Sequence, residues 1–142
     1  MKATTLYRIA AIILLLFAVG HTFGFLSFRP HSPEGVAVFE SMNSVHFQEG
    51  RYSFSFGNFY RGFGLSISVS MLFSAFLSWH LGWMARNAPV AIGALGWLFA
   101  AVLVAGIVIG WVYFSPVQAG FAAAVAICLA WAAAVVRAAP RG

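Results

Sequence analysis

Residues 87–136 read NAPVAIGALGWLFAAVLVAGIVIGWVYFSPVQAGFAAAVAICLAWAAAVV, and none of them carries a charge. Soluble domains use roughly a quarter charged residues, so a stretch of this length and composition must be solvated by hydrocarbon. It is too long for one membrane helix, which needs about 20 apolar residues, and long enough for two. Ser115-Pro116 is the natural division, because proline disfavours helical geometry in the residue before it. Two spans are expected, over about 90–114 and 117–136.

Working towards the N-terminus, Phe59 to Met84 is a further apolar stretch, and Tyr7 to Phe28 another, with an uninterrupted core from Ile9 to Val19. The chain as a whole is 62% hydrophobic and 8% charged, too apolar to cover its surface with polar groups. The expected fold is all-α: one integral membrane four-helix bundle over residues 1–142. Its spans lie at about 7–28, 59–84, 90–114 and 117–136, and residues 29–58 form a cap in the first connection.

The charges give the orientation. Lys2, Arg8, Arg86, Arg137 and Arg141 fall at the termini or beside Asn87, with no acid among them. The three acids, Glu34, Glu40 and Glu49, all lie between Arg29 and Arg61 and cancel Arg29, Arg51 and Arg61. The net charge of +5 therefore belongs to one side. Short basic loops stay cytoplasmic, which places both termini in the cytoplasm and residues 29–58 outside. A nucleic-acid partner needs clustered basic residues on a soluble face, and none is expected here.

A cleaved signal peptide is the competing reading of the N-terminus, with Lys2 and Arg8 before an apolar run and Ala18-Val19-Gly20 as the cleavage site. The apolar character continues through Phe25 and favours a retained span. The single cysteine, Cys128, allows no intrachain disulfide and reads as a small packed hydrophobe.

Gly62, Ser66, Ser70, Ser74, Ser78 and Gly82 recur every fourth residue, forming one inclined ridge on the second span. Small residues at this spacing let helices approach closely. Gly20/Gly24 and Gly106/Gly110 repeat the device. No intramembrane acid or lysine accompanies the serines, so packing is the expected role rather than a polar path. No internal repeat of the kind that builds transporters is present.

Within the cap, Ser32-Pro33-Glu34 starts a helix: serine caps, proline suits the first turn and glutamate complements the dipole. Val38, Phe39, Met42 and Val45 follow at helical spacing, and Gly50 is the expected stop. This predicts an amphipathic helix of about 15 residues at the bundle mouth or in the interface plane. Tyr52, Phe54 and Phe56 then alternate with Ser53, Ser55 and Gly57, the period of an extended segment.

His21, near the end of the first span, is the leading candidate for chemistry, since a histidine in a membrane segment is a functional hypothesis by default. The competing structural reading is a histidine hydrogen-bonded to a neighbouring helix. With His46, and with Glu40 or Tyr60 assisting, it would do acid–base work on a lipid or isoprenoid. As a binding site, His21, Met42, His46, Tyr60 and Arg61 would hold a hydrophobic ligand. His31, beside Pro30, reads as solvated. His21 and His80 differ in depth by roughly 20 Å at 1.5 Å per residue, so one haem cannot use both. Either alone is the minor option for haem or chlorophyll. No metal site is expected, because no His-Glu-x-x-His or similar spacing occurs.

Gly20-His21-Thr22-x-Gly24, then Met42, then Phe59-Tyr60-Arg61-Gly62-Phe63-Gly64 resemble a family of small four-span bacterial membrane proteins with no assigned reaction. The likeness covers roughly the first 85 residues. Size and span count also resemble the DoxX-like proteins, by architecture alone. The resemblance implies a bacterial inner-membrane protein. Three functions remain open: a bundle that binds a lipid-like ligand or a partner, as a homo-oligomer or within a larger membrane complex; a small membrane enzyme; or a cofactor-carrying subunit of an electron-transfer complex.

Overall fold

The computed structural model describes residues 1–139. Helices α1 (Ala3–Ser27), α3 (Phe56–Asn87), α4 (Leu95–Tyr113) and α5 (Pro116–Ala138) are long and apolar enough to cross a membrane. The protein is an all-α four-helix bundle and a multi-pass membrane protein. Between α1 and α3 come α2 (Pro33–Ser44) and a hairpin of β1 (His46–Glu49) and β2 (Tyr52–Ser55). A short 3₁₀ turn, Pro89–Ile92, precedes α4. The chain forms two compact units, residues 18–70 and the remainder; α1 and α3 contribute to both.

In the unit made of residues 1–17 and those from 71 onward, small residues set the packing. Ala119, Ala126 and Ala133 of α5 recur every seven residues and are buried with Val125 and Leu129, a spacing that keeps one face of the helix towards its neighbours. A methyl group on Gly110 would come within 3.2 Å of the backbone of Ala119, and one on Gly96 within 3.1 Å of the Ala133 side chain. The α4–α5 pair is thus closest where glycine faces alanine. Leu6, Tyr7, Ala10 and Leu14 of α1 complete the core with Leu81 of α3 and Phe99 of α4. Ser78, fully buried, donates to the Tyr7 carbonyl at 2.8 Å. Elsewhere, large apolar side chains such as Phe73, Val102, Trp111 and Ile127 are more than half exposed, as helices surrounded by acyl chains require.

The serine ridge behaves unevenly. Ser78 bonds across to α1, but Ser66 and Ser70 donate to the carbonyls of Gly62 and Ser66 in their own helix. Such back-bonding to the carbonyl four residues earlier is a common local choice of a serine within a helix. Gly20, Gly24 and Gly106 have open space where a Cβ would stand. Of those two glycine pairs, only Gly110 is used for close approach.

The unit of residues 18–70 departs most from expectation. Ser32 caps α2 by accepting from the Gly35 N–H at 3.0 Å, with Pro33 in the first turn. The helix stops at Ser44, however, and not at Gly50. Residues 46–49, expected in its last turn, are instead β1, paired antiparallel with β2 in the register His46↔Ser55 to Glu49↔Tyr52. The reason is local. Gly50 takes φ +60° while Arg51 does not, the arrangement of a type II′ hairpin turn with glycine in its first central position. Phe47 and Phe54 then face each other across the pair, with ring centroids 6.1 Å apart. Phe56 lies not in the extended segment but at the start of α3, which Ser55 caps by accepting from the Asn58 N–H at 3.1 Å. No residue of α2 is fully buried; Phe39 and Met42 are half-buried, and Val38 is exposed.

Candidate functional site

Three polar side chains of the 18–70 unit, His21, Thr22 and Ser68, meet between α1 and α3. His21 lies one turn before Phe25 on α1. Its Nε2 is 3.2 Å from the Gly64 carbonyl of α3. A carbonyl only accepts, so Nε2 carries the hydrogen and donates. In a neutral ring this leaves Nδ1 as an acceptor. Ser68 donates to the same Gly64 carbonyl at 3.3 Å. Thr22 lies 2.8 Å from the Ser68 hydroxyl and 2.7 Å from the Ala18 carbonyl. One carbonyl and three side chains thus join the two helices.

Gly64 is required for more than its carbonyl. A Cβ at that position would overlap the ring of Phe25. The tip of the Phe25 ring therefore sits against the bare backbone of α3 at Gly64. Phe25 stacks on His21 with centroids 5.9 Å apart and meets Tyr60 at 5.2 Å.

Beyond Phe25 and Tyr60 lies a cavity of about 470 Å³. Its walls are Phe25, Leu26, Phe28, Phe39 and Tyr60, and its charges are Arg29 and Arg61. Arg29 donates to the carbonyls of Phe28 and Leu26, at 2.8 and 3.5 Å. Arg61 donates to the Asn43 side-chain oxygen at 3.1 Å, while Asn43 donates to the Phe39 carbonyl at 2.7 Å. Asn43 in turn needs Gly57, because a Cβ there would overlap its amide. Each guidinium holds neutral oxygens only, and neither is hydrogen-bonded to a carboxylate among the described residues. Guanidinium groups in an apolar-walled cavity with donors to spare select anions.

Of the residues singled out from sequence, Tyr60 and Arg61 line this cavity, and His21 supports it through Phe25. Met42 is half-buried on α2, and its carbonyl faces Gly57. Glu40 is exposed on α2. His46 is exposed, and its Nδ1 lies 2.8 Å from the Ser44 carbonyl. No hydrogen bond joins His21 to His46, Glu40 or Tyr60 among the described residues. His31 is exposed. His80, in the other unit, is exposed and stacks between Phe76 and Trp83, with centroids at 6.2 and 5.5 Å. No group of three or more metal-ligating side chains occurs among the described residues.

Sequence reasoning missed Arg29, Phe39 and Asn43 as parts of the site, and Ser68 as the partner of Thr22. Ser68 lies off the four-residue ladder, and the Asn43–Arg61 bond joins residues 18 apart. Neither has a periodic signal. The pairing of Gly57 with Asn43 likewise has no local trace. Comparison with protein-family models, curated proteins and solved structures finds no match.

Proposed function

We propose that this protein binds a lipid-like ligand with an acidic head in the cavity between the end of α1, α2 and the start of α3. The single observation that carries the reading is the composition of that cavity: five apolar or aromatic side chains and two arginines without a carboxylate partner. The aromatic walls suit an acyl or prenyl chain, and the arginines suit the head. Tyr60, 41% exposed, supplies a hydroxyl at the rim. His21 has a positioning role here, holding Phe25 against Gly64. The role is that of a binding or accessory subunit of a bacterial inner membrane. Both termini face the cytoplasm, and α2 lies in the outer interface plane with Phe39 and Met42 turned from water.

The two motifs quoted from the sequence meet through His21 and Gly64, and Phe25, the residue after the first motif, meets Tyr60 of the second.

The test is mass spectrometry of the protein purified in mild detergent, with and without Arg29→Gln and Arg61→Gln together. An anionic amphiphile should accompany the native chain and be depleted in the double variant. Native protein free of any amphiphile, or equal retention by the variant, refutes the reading.

A further inference from the structure

The hairpin and the start of α3 enclose a second cavity in the 18–70 unit, with walls and charge unlike those of the first. It measures about 560 Å³. Phe47 and Phe54 of the hairpin and Phe59 and Phe63 of α3 form its walls. The rings meet in series: Phe54 on Phe47, Phe47 on Phe59 and Phe59 on Phe63, with centroids 6.1, 5.9 and 4.7 Å apart. The last two pairs meet at 88° and 72°, so no single stack uses up the ring faces. Gly62 also lines the cavity, and a Cβ there would stand in open space.

Among the described residues that line it, Glu49 alone is charged. Side chains alternate along a strand, and the register sets Phe47 opposite Phe54 and Glu49 opposite Tyr52. Glu49 therefore shares the hairpin face of Phe47 and Phe54. Its carboxylate has no hydrogen-bond or ion-pair partner among the described residues. The base nearest in sequence, Arg51, lies over the Tyr52 ring at 5.5 Å instead. Asn58 and Ser66 add neutral acceptors to the lining. The Ser66 hydroxyl gives its hydrogen to the Gly62 carbonyl at 2.8 Å, which leaves its oxygen free to accept. A helix start favours anions, but here the Phe56 and Asn58 N–H groups are already given to the Val45 carbonyl and the Ser55 hydroxyl.

The Arg29–Arg61 cavity thus has an opposite on the same helix. At 3.6 residues per turn, Phe59, Gly62 and Ser66 point roughly 180° away from Tyr60 and Arg61. Aromatic faces attract cations, and a carboxylate with neutral acceptors beside it suits a cation that carries N–H donors. Val69, further along the same face of α3, is 66% exposed and continues the apolar wall beyond the rings.

We propose that this cavity holds the primary ammonium head of a membrane phospholipid. The ammonium lies against Glu49 and the phenyl rings, and an acyl chain runs over Phe63 and Val69. The site shares no residue with the Arg29–Arg61 cavity and stands or falls independently of it.

The experiment uses the full chain in phosphatidylcholine nanodiscs doped with a phosphatidylethanolamine carrying a photoactivatable group high on one acyl chain. Cross-linked peptides are then mapped, and far-UV circular dichroism verifies that each variant is folded. Labelling is expected within residues 58–70. Glu49→Gln should lower it about tenfold, as the loss of a hydrogen bond to a charged group would. Glu34→Gln removes the same charge from an exposed position on α2 and should leave it unchanged. Gly62→Leu places a side chain in the open space of the cavity and should abolish it; should that variant not fold, Glu49→Gln decides alone. Three results overturn the proposal: equal labelling by the matching phosphatidylcholine probe, labelling unaffected by Glu49→Gln, or competition by millimolar free ethanolamine, which would make it a site for a soluble amine.

Discussion

Gly64→Ala is the sharpest test of the α1–α3 seam. The added methyl group would overlap the Phe25 ring, and overpacking of this kind costs about 1–3 kcal/mol. Against it stands the helix propensity of alanine over glycine, worth about 0.8–1 kcal/mol in a helix interior. The net expectation is a loss of about 1 kcal/mol. Removing the ring should reverse the sign: in a Phe25→Ala background the same substitution retains only the propensity gain and should stabilise by up to about 1 kcal/mol. The double-mutant coupling is then about 2 kcal/mol, within the range for residues in contact. Equilibrium unfolding in mixed dodecylmaltoside–SDS micelles, followed by far-UV circular dichroism, measures each corner of the cycle. Hydrogen exchange of residues 56–70 locates the effect, which tryptophan fluorescence would miss because every tryptophan lies at position 79 or beyond. An equal effect of Gly64→Ala with and without Phe25 refutes the contact.

Three further substitutions probe separate links. Ser78→Ala removes the bond to the Tyr7 carbonyl and should cost about 0.6 kcal/mol, the mean for hydrogen bonds between membrane helices, and at most about 1.7 kcal/mol, in the same micelle titration. Asn43→Ala removes the bonds to Phe39 and Arg61. Losing about 1 kcal/mol should speed amide exchange across residues 33–44 about fivefold while leaving α4 and α5 unchanged. Gly50→Ala forces a side chain into φ +60° at a cost of about 1–2 kcal/mol, and exchange at 46–49 and 52–55 should rise accordingly.

The spans were legible because a single variable, apolar length, decides them. Ser115-Pro116 marks the break between α4 and α5, and Ser115 is the α5 N-cap. Ser32-Pro33-Glu34 likewise marks the start of α2. What misled was the tail of that helix. Val45 continues the helical spacing of Val38, Phe39 and Met42, so residues 46–49 read as helix until their pairing with 52–55 is known. Gly50 carried the correct punctuation but admits two meanings, helix stop or hairpin turn, and only the strand that follows chooses between them. The site was half legible. Tyr60 and Arg61 announce themselves as an aromatic–basic anchor. Arg29 read only as a charge to be balanced, because nothing local shows that the acids of the segment leave it unpaired.

The length of α3 carries a consequence of its own. At 1.5 Å per residue its 32 residues measure about 48 Å, whereas the 19 residues of α4 measure about 28 Å. The second value matches a hydrocarbon layer of about 30 Å, and the first exceeds it. Even at 40°, the limit of observed tilts, α3 still covers about 37 Å of depth. Part of it must therefore stand among the lipid head groups, and its first turns, with Phe59, Tyr60, Arg61 and Phe63, are built for that layer. In a thicker bilayer fewer of those turns stay in the head-group region, and Arg61 is drawn towards hydrocarbon. On the proposed function, acyl-chain length in the host membrane would act on the same turn of helix that lines the Arg29–Arg61 cavity, and hydrophobic mismatch would tune its occupancy.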